Sequence, residues 1–380
     1  MAAENFSSGR VPASGRERFS AAYRVLEDAI QARAFPGCAF GLLAADEVML
    51  ADALGRFTYE PDAPAVTPAT VYDVASVTKV VATTATVMLL FARGQLDPDA
   101  LLGRLLPEFT SGRTPDDPAH HVRLRHLLAH NSGLPGYLEF FRTAKTPEEL
   151  LHACLRLQLE AEPGTREEYS DPGFILLGKA LEAVLEESLP EWTRREIFKA
   201  MGLTATRFYP PENERAAIPP TEEDAGFRRR RIQGEVQDEN AWVLGGAAGH
   251  AGLFSNAPDL LRFSRQILNA AAVAIAEDQS QHACLFEGST VELFAQRQEP
   301  VGSSRALGWD TPSEKSSSGR YFSQHSIGHL GYSGCSLWID LEAQIAVVLL
   351  TNRTWPDRNC QLIRAVRPAF HDAIRKALGR

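Results

Sequence analysis

The chain has 380 residues, 44% hydrophobic and 23% charged, a balance ordinary for a soluble globular protein with a large core or two intertwined lobes. Its net charge of −9 argues against a general nucleic-acid binder, which needs a basic face for phosphate contacts. Five scattered cysteines (Cys38, Cys154, Cys284, Cys335 and Cys360) form no Cys-x-x-Cys unit and predict buried free thiols, not a disulfide framework or a cysteine zinc site.

Residues 1–16 are rich in Ser, Gly and Arg and predict a loose tail. The N-terminal stretch lacks the apolar core of a secretory signal. The expected location is therefore cytoplasmic, or periplasmic if the chain is trimmed at its N-terminus. No apolar run is expected to reach the roughly 18 residues that span a membrane. Residues 17–33 have apolar positions at helical spacing. GCAFGLLAA and EVMLADALG then read as antiparallel strands around a turn. A Pro-rich loop follows, and a mostly apolar helix opens near Ser76. The stretch 80–245 reads as mainly helical, with segments such as VRLRHLLAH, PEELLHACLRLQL, FILLGKALEAVLEES and PEWTRREIFKAM. Within it, Arg228 to Arg231 read as a solvated loop run, with a grip on an anionic partner as the alternative. CSLWIDL and AQIAVVLLTN are β-rich, and residues from Asn359 to Leu378 again look like an amphipathic helix. Strands at both ends with helices between them predict an α+β fold. One domain is discontinuous (17–79 and 246–380), a helical one (80–245) is inserted, and a cleft lies between them.

Three short patterns can carry chemistry. Ser76 and Lys79, three apart, share one side of a helix. Burial of Lys79 is expected to lower its pKa, so that it can take a proton from Ser76 and make the serine nucleophilic. The alternative is a serine cap beside an exposed lysine. Tyr169-Ser170-Asp171 precedes a helical run that Ser170 or Asp171 can cap, with Pro172 suited to the first helical position. Tyr169 can project into a cleft and, beside cations, act as a phenolate base. His329-Leu330-Gly331-Tyr332-Ser333-Gly334 precedes CSLWIDL, and its glycines admit close approach to the backbone and a main-chain N–H for an oxyanion. His329 can orient or charge-stabilise the site, or the stretch is only a tight turn into a core strand.

The order of these patterns, together with VYDVASVTKVVATTATVMLL and LRHLLAHNSGLPGY, resembles the penicillin-recognising serine hydrolases, within them the class C β-lactamase-like group. That group includes β-lactamases, DD-peptidases, esterases and peptidoglycan amidases. The resemblance covers about residues 20 to 375. It implies a β-lactamase/transpeptidase-like fold, an antiparallel sheet flanked by terminal helices plus the inserted helical domain. It implies Ser76 as acyl-enzyme nucleophile, Lys79 as proton relay and Tyr169 as partner base. His329 takes the position usually held by Lys or His, and the N–H groups of Ser76 and Tyr332 form the oxyanion hole, with Gly331 beside them. No metal or other cofactor is implied. The expected partner is a small-molecule or muropeptide substrate, with no nucleic acid and no membrane. Asp171 stands where the group usually has Asn. A carboxylate only accepts hydrogen bonds, so Asp171 either pairs with Lys79 or selects a substrate that offers a donor. Leu330 replaces a usual Thr and removes a hydroxyl that helps hold a substrate carboxylate. The expected activity is therefore cleavage of an amide or ester, on peptidoglycan fragments, with a class C-type β-lactamase or a non-turnover penicillin-binding sensor as alternatives.

Other constellations weigh less. His126 and His130 have zinc spacing, but Leu127 stands where a metalloprotease needs Glu. Gly331 to Cys335 lacks the last glycine of a nucleophile elbow on Ser333. The Gly-rich stretch 234–255, with Asn240 and His250, either lines the cleft as a substrate-binding segment or only crosses between lobes. It resembles the subset that includes N-acetylmuramoyl-L-alanine amidases.

Overall fold

The computed structural model describes residues 13–276 and 284–379. Most of the expected tail, residues 1–12, lies outside them, but Ala13–Arg18 is helical, so the tail is shorter than expected. Five strands form the main sheet: β1 (Gly37–Ala44), β2 (Glu47–Gly55), β3 (Ser326–Leu330), β4 (Ser336–Asp340) and β5 (Ile345–Thr351). Their order is β2-β1-β5-β4-β3, and every neighbouring pair is antiparallel. Cys38 pairs with Thr351 and Ala44 with Ile345, which joins the two ends of the chain in one sheet. β1 is buried on both faces, so it reads as a continuous apolar run and not as an alternating one.

The two faces have separate cores. On one side, helices α1 (Ser20–Gln31) and α4 (Ile363–Ala377) pack over Phe40, Trp338 and Val347. Tyr23 and Phe370 meet the Phe40 ring edge-on, with centroids at 5.3 and 5.7 Å. On the other side, α3 (Ala257–Ala276) lies against β1 and β5. There the core runs on into the segment after Ser76 and the helix α2 (Asp171–Leu185).

The helical run Ala75–Ala92 is 18 residues long and apolar enough to cross a membrane, contrary to the expectation for apolar runs. It is 83% buried inside the protein, so its apolar character belongs to the core. Of the four arginines from Arg228, Arg229 to Arg231 are exposed as expected, but Arg228 is not. The Arg228 side chain is buried, pairs with Asp224 at 3.1 Å and donates to the Val236 and Gln237 carbonyls. Arg230 pairs with Glu235 and Arg231 with Glu223, and Arg230–Ile232 is itself a short strand. Five free cysteines are present; Cys38, Cys154 and Cys335 are buried, whereas Cys284 and Cys360 are partly exposed.

Candidate active site

Ser76 owes its position to a sharp change of backbone direction. The short strand Tyr72–Asp73 pairs with Phe254–Ser255 and leads to Ala75, whose φ of +46° is left-handed. For an alanine that conformation costs on the order of 1–3 kcal/mol and persists only where the surroundings impose it. From there the chain makes a 3₁₀ turn at Ala75–Val77, a π-helical turn at Lys79–Thr84 and an α-helix at Ala85–Ala92. Ser76 stays half-buried at the start of this run, and Lys79 is fully buried below it.

Lys79 Nζ donates to Ser76 Oγ at 2.9 Å, to Asp171 Oδ1 at 2.7 Å and to the His250 carbonyl at 3.3 Å. These contacts use the three donors of an ammonium. The expectation that burial lowers the Lys79 pKa is overturned by its partner. Burial does push the ammonium down, but the Asp171 carboxylate and Tyr169 together push it further up, and the net direction is up.

Asp171 is available for this pairing because Ser170 caps the helix. Ser170 Oγ accepts from the Gly173 N–H at 3.0 Å, and Asp171 opens α2 with Pro172 behind it. A carboxylate there also meets the positive end of the helix dipole. Tyr169, just before the cap, has its ring centroid 4.8 Å from Lys79 Nζ, and its phenol interacts with both Lys79 and Ser76. Burial pushes the Tyr169 pKa up against the opposing charge of Lys79, so the resting group is a phenol and not the phenolate expected. Arg305, absent from the sequence expectations, lies 5.2 Å from the same ring and pairs with Glu167 at 2.9 Å.

His329 lies on β3, not in a turn leading into the next strand. Its Nδ1–H donates to the Leu330 carbonyl at 2.8 Å, while Nε2 is buried with no hydrogen-bond partner among the described residues. Burial, then Lys79 and Arg305, push it well below the ordinary histidine range. It is a neutral ring with a free lone pair, so a charge-stabilising role does not fit. The chain then turns at Gly331–Cys335, where the Gly331 N–H donates to the Cys335 carbonyl at 2.8 Å. A Cβ on Gly331 would meet the Val74 carbonyl at 2.4 Å, so this turn packs directly on the segment before Ser76. Buried Arg367 of α4 clamps the turn through the Gly331, Gly334 and Cys335 carbonyls. Tyr332 projects outward, half-exposed, with the Arg353 guanidinium 4.3 Å from its ring.

These segments enclose a cavity of about 640 Å³ with Ser76, Tyr169, Asp171, His329, Gly331 and Tyr332 in its wall. The Gly-rich stretch 234–255 does line the cavity, through Gln237, Asp238, Glu239 and Ala251, whereas Asn240 and His250 stand behind the wall. The Asn240 amide accepts from the Phe141 N–H at 3.0 Å and donates to the Leu138 carbonyl at 2.8 Å. His250 pairs with Asp238 at 2.9 Å and reaches the centre only through its backbone carbonyl on Lys79. Gly249 permits that approach, since a Cβ there would meet the Phe174 carbonyl of α2 at 2.1 Å. His126 and His130 do not converge: their Nδ1 atoms accept from the Arg123 and Ser170 N–H groups respectively. Ser333 is buried and donates to the Asp73 carbonyl at 2.7 Å, which leaves it no part as a nucleophile.

A family model described as Beta-lactamase matches residues 23–369. The N-acetylmuramyl-L-alanine amidase of Bacillus subtilis (strain 168) is 29% identical over 313 residues, 75% of this chain and 68% of that protein. Among solved structures, EstCE1, a hydrolase with promiscuous acyltransferase activity, superposes with a TM-score of 0.73 at 21% identity, covering 94% of this chain and 99% of that one. The octameric penicillin-binding protein homologue from Pyrococcus abyssi gives 0.72 at 20% identity, covering 95% and 77%. At these identities the two structures speak for the fold, which is β-lactamase/transpeptidase-like as expected.

Proposed function

The chain belongs to the beta-lactamase family, a group of serine hydrolases, and from that premise we propose that it cleaves an amide or ester through an acyl-enzyme on Ser76, with peptidoglycan fragments as substrate. The observation that carries this reading is the contact of Ser76 Oγ with Lys79 at 2.9 Å, beside Tyr169, in the wall of the cavity. Ser76 Oγ attacks the carbonyl carbon, the N–H groups of Ser76 and Tyr332 receive the oxyanion, and the serine proton passes to the Lys79–Tyr169 pair. Tyr169 returns a proton to the leaving group, and water then releases the acyl group. Support for the substrate class comes from the similarity to a muramyl-L-alanine amidase. The cavity adds to it: its wall sets Arg305, Arg353, Arg358 and Arg364 beside Glu139, Asp238, Glu239 and Asp310, which suits a peptide-bearing fragment with groups of both signs, and Tyr137 and Tyr332 supply flat apolar surface.

The test is turnover of a muramoyl-peptide, a short-chain nitrophenyl ester and a penicillin by the same preparation. Cleavage of the muramoyl-peptide with penicillin turned over slowly or not at all supports the reading. Rapid penicillin turnover with no muramoyl-peptide cleavage replaces it with a β-lactamase, and a lasting penicillin adduct replaces it with a sensor.

The resting centre holds a charged Lys79 and a neutral Tyr169, so catalysis needs one of them to lose a proton first. Asp171 raises the pKa of both groups. Asp171→Asn therefore moves the ascending limb of kcat/KM toward lower pH, by about one unit or more, whichever group is the base. The profile is measured on a nitrophenyl ester. A limb that stays in place removes Asp171 from the control of proton transfer.

A further inference from the structure

Asp73 is buried and is not part of the cavity wall, yet it touches three segments that are. One carboxylate oxygen accepts the Ala75 N–H at 2.8 Å, and the other accepts the Gln237 N–H at 2.7 Å. Its backbone carbonyl accepts the Ser333 hydroxyl at 2.7 Å. Ala75 precedes Ser76, Gln237 precedes Asp238, and Ser333 follows Tyr332. Each of these partners adjoins a cavity residue, and the partners lie 164 and 260 positions away for Gln237 and Ser333.

The geometry points to Asp73 as a positioning residue: it holds Ala75 in its left-handed conformation and fixes the Ser76 and Tyr332 N–H groups at the spacing an oxyanion needs. This rests on the reading of Ser76 as nucleophile. The physical argument has three parts. A left-handed alanine is strained and needs an external restraint, and the Asp73–Ala75 bond spans the bend. Oxyanion donors act only when preorganised, so a displacement of either N–H lowers the rate without an equal effect on ground-state binding. Finally, both oxygens of the Asp73 carboxyl group accept a backbone N–H, an arrangement that favours its ionised form. Burial raises its pKa to about 6, with the Gln237 and Ala75 N–H groups and Arg228 opposing and Asp238 adding to the rise.

The experiment compares wild type, Asp73→Asn, Ala75→Gly and the double variant, with Ser76→Ala as reference. Asn keeps the shape but turns an amide donor toward one of the two N–H groups. The expected result is a kcat about 10- to 100-fold lower for Asp73→Asn, with KM within about threefold. Glycine takes φ above zero freely, so Ala75→Gly in the Asp73→Asn background should restore kcat at least about fivefold. A merely structural role would lower stability without this rescue. Unchanged kcat in a folded Asp73→Asn, or no rescue by glycine, overturns the proposal. If Asp73→Asn does not fold, the folded double variant is compared with Ala75→Gly: kcat within about fivefold of Ala75→Gly supports the proposal, and a larger deficit overturns it. Full activity of Ser76→Ala would instead overturn the nucleophile assignment, so the two failures are told apart.

Discussion

Ser76→Ala should lower kcat/KM on every ester or amide the protein turns over by on the order of 10⁴- to 10⁶-fold. Removing the hydroxyl removes the atom that forms the acyl bond, and neither Ser333, buried on Asp73, nor Ser170, committed to its cap, can replace it. The fold should hardly notice. Ser76 is half-buried, and its loss takes one of three hydrogen bonds from Lys79, which keeps Asp171 and the His250 carbonyl. Such a bond is worth about 1 kcal/mol, or a melting shift of about 1 °C for a chain of this size. Steady-state kinetics and calorimetry on the same preparations check both halves. A variant that melts normally and retains turnover places the nucleophile elsewhere.

The second large effect concerns Lys79. Lys79→Ala should lower kcat/KM by about 10²- to 10⁴-fold through loss of the proton relay. It should also destabilise the protein, because it leaves the Asp171 carboxylate without its cation and opens a hole beside it. Breaking a buried pair by removing one partner costs about 3–5 kcal/mol. Asp171 retains some access to the cavity, with 15% of its side chain exposed, which favours the lower end of that range. Removing both partners should therefore cost less stability than the two single changes added together, because neither charge is then left alone. Activity should not return with stability in the double variant. Strictly additive melting shifts, or recovered turnover, would contradict the assignment of Lys79 as both half of a buried pair and the proton relay.

The sequence conveys local features well. β1 and β2 are visible as apolar runs bounded by glycine, and Ser170–Pro172 reads correctly as a helix start because capping is local chemistry. Ser76, Lys79 and Tyr169 stand out because their patterns are short and ordered along the chain, and the structure brings them into contact. What was not legible is set by partners far away in sequence. The sequence offers the Asp171–Lys79 pair as one of two alternatives, but that this carboxylate, 92 positions later, outweighs the burial of Lys79 follows only from the fold. Arg228 resembles surface charge until Asp224 and the Val236 and Gln237 carbonyls close around it. Asn240 and His250 carry the polar groups of a binding segment, but tertiary packing uses them to tie loops together. β3 is short, and its sequence SIGHL offers little alternation, so its place at the sheet edge follows only from pairing with β4. Arg305 carries no motif, and Asp73 lies in the VYDVASVTK stretch with nothing there to single it out. Only the folded chain sets one beside Tyr169 and the other behind Ser76.

The most direct test of the central claim is time-resolved intact-protein mass spectrometry with a slowly released acyl donor, followed by peptide mapping of the adduct. The account predicts a transient mass increase equal to the acyl group, located on the peptide that contains Ser76 and lost as product forms. Product formation with the acyl group on another residue, or with no adduct under rapid quenching at saturating donor, would contradict it.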